Sequence, residues 1–168
     1  MDHIDRILQQ WQRERPDLRP LLQPMALIGR MKRLTNHIGH GLEQVFGHYG
    51  LNSANFDVLA TLRRSGPPYA LTPSQLISWT MVTSGTMTNR LDRLEKQGLV
   101  ERLKSDQDAR SVTVHLTKQG FELIEACVTD HVANQQKLTA ALSAPEQQQL
   151  SSLLAKWLAQ FEPDQSLD

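Results

Sequence analysis

With a single cysteine, Cys127, the 168-residue chain has no partner for an internal disulfide. That excludes the cystine-stapled secreted scaffolds and suits a reducing cytoplasm. Aromatic residues are also scarce, at 5%. With Leu, Gln and Ala plentiful, this argues for helices over extensive sheet. No apolar run approaches the roughly 18 residues that a membrane span requires. The first residues, "MDHIDRILQQWQRERP", are polar and charged, without a signal-peptide pattern. The expectation is a cytoplasmic protein with no membrane partner. Six histidines have no close ligand spacing and no partner cysteines, so neither a structural zinc nor any other cofactor is expected. Nucleophile–base pairs, phosphate-binding loops and paired carboxylates are missing as well, which argues against an enzyme.

Net charge is zero, but it is unevenly spread. Residues 1–120 hold 16 Lys or Arg against 11 Asp or Glu, and residues 121–168 hold 2 against 7. A basic body with an acidic C-terminal part suggests that one region faces a polyanion.

Periodicity predicts a first helix over about residues 2–14, with Ile4, Ile7, Leu8 and Trp11 as its apolar stripe. Prolines in "RPDLRP" and "QP" end it, and a longer helix follows over about 24–49. Asn52 or Ser53 caps the next helix, which stops at Gly66-Pro67-Pro68, and Thr72 opens a short one with Pro73 in its first turn. "MVTSG" reads as a turn into a helix over about 84–97, closed by Gly98. "LVERL" (99–103) and "SVTVHL" (111–116) form a hairpin around "KSDQDAR". Thr117 caps a helix to about 142, and a last helix covers about 144–161. The fold class is therefore mostly α with a small β-hairpin wing: a winged helix-turn-helix between N- and C-terminal helices. Residues 1–50 form the N-terminal helical part, 51–120 the winged lobe and 121–168 the C-terminal helices.

The stretch "SGTMTNRLDRLEKQGLVERL" carries the chemistry. At about 100° per residue, Met87, Leu91 and Leu94 share one face, and Asn89, Asp92, Arg93 and Lys96 lie opposite. Asn pairs with adenine, Arg with guanine, and hydroxyls with phosphate. Ser84, Thr86, Thr88, Asn89, Arg93 and Lys96 are thus candidate DNA contacts. In the hairpin loop Arg110 is a seventh, suited to a narrow minor groove and oriented by Asp108. The competing reading is a solvated polar face and a hydrophilic turn; the flanking short helix and basic hairpin favour DNA.

"LTPSQL…TSGTMTNRLDRLEKQGLVERLKSDQDARSVTVHLTKQG" resembles the multiple-antibiotic-resistance regulator (MarR) family. The matching positions are Leu94-Glu95, Gly98-Leu99, Arg102, Asp106, Asp108, Arg110, Leu116-Thr117 and Gly120. The chain departs at Ala109, where the family wing often has a second arginine, and at Trp79. The resemblance implies transcription regulation by a homodimer built from the terminal helices and bound to a pseudo-palindromic double-stranded operator. The apolar residues of those helices support a dimer independently. Trp11 in "QQWQRERPDL", Asp57 in "FDVLATL", Arg90 in "TNRL" and Arg102 in "VERL" further resemble the urate-responsive subgroup. By that resemblance Trp11 stacks on a planar ligand, Arg90 and Arg102 hold its negative charge, and Asp57 accepts a ligand N–H or ties Arg90. The expected protein is a repressor released by a small anionic effector, urate-like or phenolic. Each of the four residues also has a plainer role: packing for Trp11, pairing with Arg64 for Asp57, a phosphate contact for Arg90 and a structural one for Arg102. Redox sensing through Cys127 and a protein–protein adaptor that does not read DNA are the alternatives.

Overall fold

A computed structural model describes residues 1–80, 84–104 and 112–162. The chain forms two compact units, residues 1–41 and 42–168.

In the first unit, helix α1 (His3–Glu14) opens on a reciprocal cap. Asp5 N–H donates to Asp2 Oδ1 at 2.9 Å, and Asp2 N–H donates to Asp5 Oδ2 at 2.8 Å. Two orphan amides are satisfied in this way. Arg30, on helix α2 (Leu22–His48), donates to Asp2 Oδ2 at 2.7 Å and also to Asp5. This guanidinium holds the Asp2 carboxyl below the usual range. Ile4 is buried against Gly29, where an added Cβ would lie 3.0 Å from Ile4 Cδ1. Of the predicted apolar stripe, Ile4 is buried and Ile7 and Leu8 are half-buried, but Trp11 is exposed. The proline-rich break is a 3₁₀ turn over Pro16–Leu21.

The second unit contains the end of α2, then α3 (Ser53–Arg64), β1 (Ala70–Leu71), α4 (Pro73–Trp79), α5 (Ser84–Lys96), β2 (Val100–Lys104), β3 (Val112–Leu116), α6 (Lys118–Thr139) and α7 (Ala144–Leu158). Asn52 caps α3, accepting from Asn55 N–H, and Thr72 caps α4 with Pro73 in the first turn. The core gathers one side of every element from α3 to α6: Val58, Leu59 and Leu62; Leu76; Met87, Leu91 and Leu94; Val100, Val114 and Ile124. The apolar stripe of α5 is thus fully committed to packing, so its opposite face points outward.

The hairpin is part of a three-stranded antiparallel sheet in the order β1-β3-β2. Its third strand was not expected. β1 is two residues long, pairing Ala70 with His115 and Leu71 with Val114. It lies between Pro68 and Pro73, in a stretch too short to show a strand periodicity of its own. Beyond that, α6 ends at Thr139 and α7 at Leu158, each about one turn short of expectation.

Gly98, with φ of +70°, closes α5, and Leu99 N–H donates to the Leu94 carbonyl at 3.0 Å. Thr117 then fixes α6 to that turn. Its Oγ1 donates to the Gly98 carbonyl at 2.6 Å and accepts from Gly120 N–H at 3.0 Å, while its own amide donates to the Leu99 carbonyl at 3.2 Å. The helix that faces outward and the helix that follows the wing are therefore held at one point. Among the described residues, no helix is long and apolar enough to cross a membrane.

Candidate nucleic-acid interface

Thr88, Asn89, Arg93 and Lys96 are all exposed on α5. Asn89, Arg93 and Lys96 recur every three or four residues, so they form one row along the helix. Ser84 and Thr86 belong to the same helix. Their side chains, together with the whole of Asp108 and Arg110, lie outside the described residues.

Beside that row is a hollow of about 550 Å³, lined by Asn89, Arg90, Asp92, Arg93 and Lys96 of α5 and by Asn52, Ala54 and Asn55 at the start of α3. Three of its eight lining residues are cationic, and the amino end of α3 adds a positive dipole. Arg90 is half-buried, and its Nε has no hydrogen-bond partner among the described residues. A buried guanidinium N–H left unpaired is costly and favours an anionic or polar visitor.

Arg90 and Arg93, offset from one another around the helix by its turn of about 100° per residue, both line this hollow. The sequence offers Asn52 only as a cap of α3 and gives no role to Asn55. Their share of this surface depends on how α3 packs beside α5, which periodicity does not encode. Asp57, Thr61 and Arg64, three or four residues apart on α3, do not form a uniformly solvated face. Thr61 is fully buried and receives Arg64 Nη2 at 3.1 Å, and Arg64 also donates to the Trp79 carbonyl. Asp57 is half-buried on α3.

Arg102, on β2, holds two carboxylates of α5. Nη1 donates to Glu95 Oε2 at 2.6 Å, Nη2 to Asp92 Oδ1 at 2.7 Å, and the Arg102 amide to Glu95 Oε1 at 3.1 Å. Of the four expected effector residues, Asp57, Arg90 and Arg102 belong to residues 42–168, and Trp11 to the other unit.

Cys127 is buried, and desolvation, with a smaller contribution from Asp130, pushes its thiol up to about 11. It is therefore protonated at neutral pH, and a thiol without thiolate character is a poor target for oxidation.

The family model described as "MarR family" matches residues 49–111, from just after α2 through β2 to the residue before β3. The chain is 42% identical over 153 residues to the HTH-type transcriptional regulator PecS of Dickeya dadantii, covering 91% of both proteins. The chain belongs to the MarR family. Among solved structures of the MarR family, a variant of E. coli MarR complexed with operator DNA shares 31% identity and a TM-score of 0.71, covering 82% of this chain and 98% of that one. Bordetella bronchiseptica BpsR, whose DNA binding is regulated by 6-hydroxynicotinic acid, shares 25% identity and a TM-score of 0.68, covering 77% and 90%. As a MarR-family member this protein is a DNA-binding transcriptional regulator and not an enzyme. The outward row of α5 carries amide, guanidinium and ammonium groups, donor types that suit base edges and phosphates.

Proposed function

We propose that this regulator is a repressor that binds a pseudo-palindromic operator as a homodimer and is released by a small anionic aromatic effector, urate-like or phenolic. Asn89, Arg93 and Lys96, with Ser84, Thr86 and Thr88, read the major groove and its phosphates, and Arg110 supplies the wing contact. The dimer is supported by apolar side chains left in the open. Leu150, Leu153, Leu154 and Leu158 on α7, and Leu27, Ile28, Leu34 and Ile38 on α2, are all exposed in the single chain. Rows of exposed aliphatic residues on terminal helices favour a partner. Two-fold symmetry then sets two recognition helices one DNA turn apart.

The observation that carries the effector reading is Arg90 Nε, buried and unpaired at the edge of a hollow shared with the DNA-reading row. An anion held there competes with phosphate for the same positive field, and its bulk presses on α5. Effector control of DNA binding in BpsR supports the same logic. In this proposal Arg90 holds the anion and Asp57, also within residues 42–168, positions it. Arg102 is already matched by two carboxylates and has no charge to spare.

The test is gel-shift binding to the DNA upstream of the protein's own gene, with urate, xanthine and salicylate titrated to millimolar concentration. Wild-type protein should shift that DNA in a salt-sensitive manner and release it as one of these anions is added. Arg90→Ala should need at least about tenfold more anion for the same release. DNA binding undisturbed by all three anions would leave a regulator without this sensor.

A further inference from the structure

The outer part of α5 is not uniformly basic. Arg90, Arg93 and Lys96 alternate with Asp92 and Glu95, so the helix carries three cations against two carboxylates. A polyanion approaching that face meets both signs. Asp92 lines the same hollow as Asn89, Arg90, Arg93 and Lys96. It is therefore close enough to compete with phosphate for their charge.

Arg102 stands behind these carboxylates. β2 is an edge strand, and the Arg102 amide on its open side donates to Glu95 Oε1. One guanidinium arm takes the other oxygen of Glu95, and the second arm takes Asp92. Glu95 is thereby gripped at both oxygens, and Asp92 is drawn towards β2. The Arg102 side chain is 26% exposed, less than either carboxylate partner, so it sits on the inner side of the pair.

We propose that Arg102 is a positioning residue for DNA binding: by pairing with Asp92 and Glu95 it fixes α5 against the first wing strand and doubles the net positive charge of the α5 face, from one to two. The planar fork is what allows one side chain to span two carboxylates a helical turn apart. Without it, Asp92 and Glu95 have Arg90, Arg93 and Lys96 as their nearest cations on the helix. Each new pairing would remove a cation from the DNA, while the helix lost its tie to the wing. The role rests on DNA binding alone and is independent of any effector.

The test uses full-length protein and a duplex selected from a random pool by the wild type, with affinity read by fluorescence anisotropy. Arg102→Gln should weaken binding roughly five- to tenfold, the scale expected when two partly exposed carboxylates lose their counter-charge. Adding Asp92→Asn and Glu95→Gln to that variant should return affinity to within about twofold of wild type. The same two changes should strengthen binding less when Arg102 is present, since the carboxylates are then already neutralised. Arg102→Lys keeps the charge without the fork and should fall between Arg102→Gln and wild type. If the triple variant stays as weak as Arg102→Gln, Arg102 acts only by supporting the fold. If Arg102→Gln binds DNA like wild type, Arg102 has no part in DNA binding. Either result overturns the proposal. Should Arg102→Gln fail to fold, the triple variant decides, because all three charges of the Arg102–Asp92–Glu95 cluster are removed together. Wild-type-like affinity then supports compensation, and a loss of about tenfold or more refutes it.

Discussion

At Gly120 a β-carbon would stand 1.9 Å from the Leu99 carbonyl oxygen and 2.8 Å from its carbonyl carbon. Both atoms are backbone, so relief requires α6 or the turn after α5 to move. That turn is the one Thr117 joins to α6, so a shift at Gly120 reaches the end of α5. Gly98 has a milder constraint. Its φ of +70° disfavours any side chain, but an added Cβ there meets only the tip of Gln119 at 3.3 Å. Gly120→Ala should therefore cost roughly 3 kcal/mol of unfolding free energy, as overpacking against immovable atoms does. Gly98→Ala should cost roughly 1–2 kcal/mol, the strain of a left-handed residue. Urea denaturation followed by circular dichroism would rank them, and equal midpoints would show that α6 slides freely on β2. Both glycines stand out in the sequence as punctuation after a helix and after a cap. The reason for Gly120 does not, because the Leu99 carbonyl approaches it only in three dimensions.

Elements that announce themselves through their own periodicity or caps were the legible ones. α5 could be drawn from the spacing of Met87, Leu91 and Leu94, and α3, α4 and α6 from Asn52, Thr72 and Thr117. What depends on one element lying beside another was hidden. β1 exists only because β3 offers it two partners, and the Arg102 fork only because β2 turns back along α5. The junction of α2, α3 and α6 is another such case. His131 on α6 packs against Phe56, with ring centroids 4.8 Å apart, and against Phe46 at 5.4 Å. Gln135 Nε2 donates to His131 Nε2 at 2.9 Å, which puts the ring proton on Nδ1, where it has no partner among the described residues. Burial lowers the pKa of this imidazole. A base whose folded pKa lies below its unfolded value, about 6.5, binds protons more readily when the chain is unfolded. The junction is therefore unaffected above that pH and increasingly penalised as the pH falls through and below it. Thermal midpoints measured from pH 8 to pH 5 should decline below about 6.5 in wild type and decline less in His131→Gln. Parallel curves for the two proteins would assign the acid sensitivity to other groups.

For the whole molecule, the exposed leucines of α7 matter most. Leu153 is 57% exposed in the single chain, so a charge there costs the subunit little, whereas in a shared helical interface it would be buried unpaired. Leu153→Glu should keep the helical signal and the unfolding transition of the subunit, but shift the protein to monomer in light scattering. Operator affinity should then fall by roughly a hundredfold, because the second half-site loses its tethered partner. A dimer that persists in Leu153→Glu would show that α7 is not the contact. The sheet bears on self-association in the opposite sense. Its two borders are a strand of only two residues and β2, whose sequence VERLK carries Glu101 and Lys104 and whose outward amide at Arg102 is already taken by Glu95. Open sheet borders are where chains zip into fibres, and short length, charge and occupied amides are the usual protection. The Glu95 carboxylate that ties α5 to β2 thus also takes an amide that a neighbouring strand would need, so the contact that holds the helix to the wing protects the open border of the sheet as well.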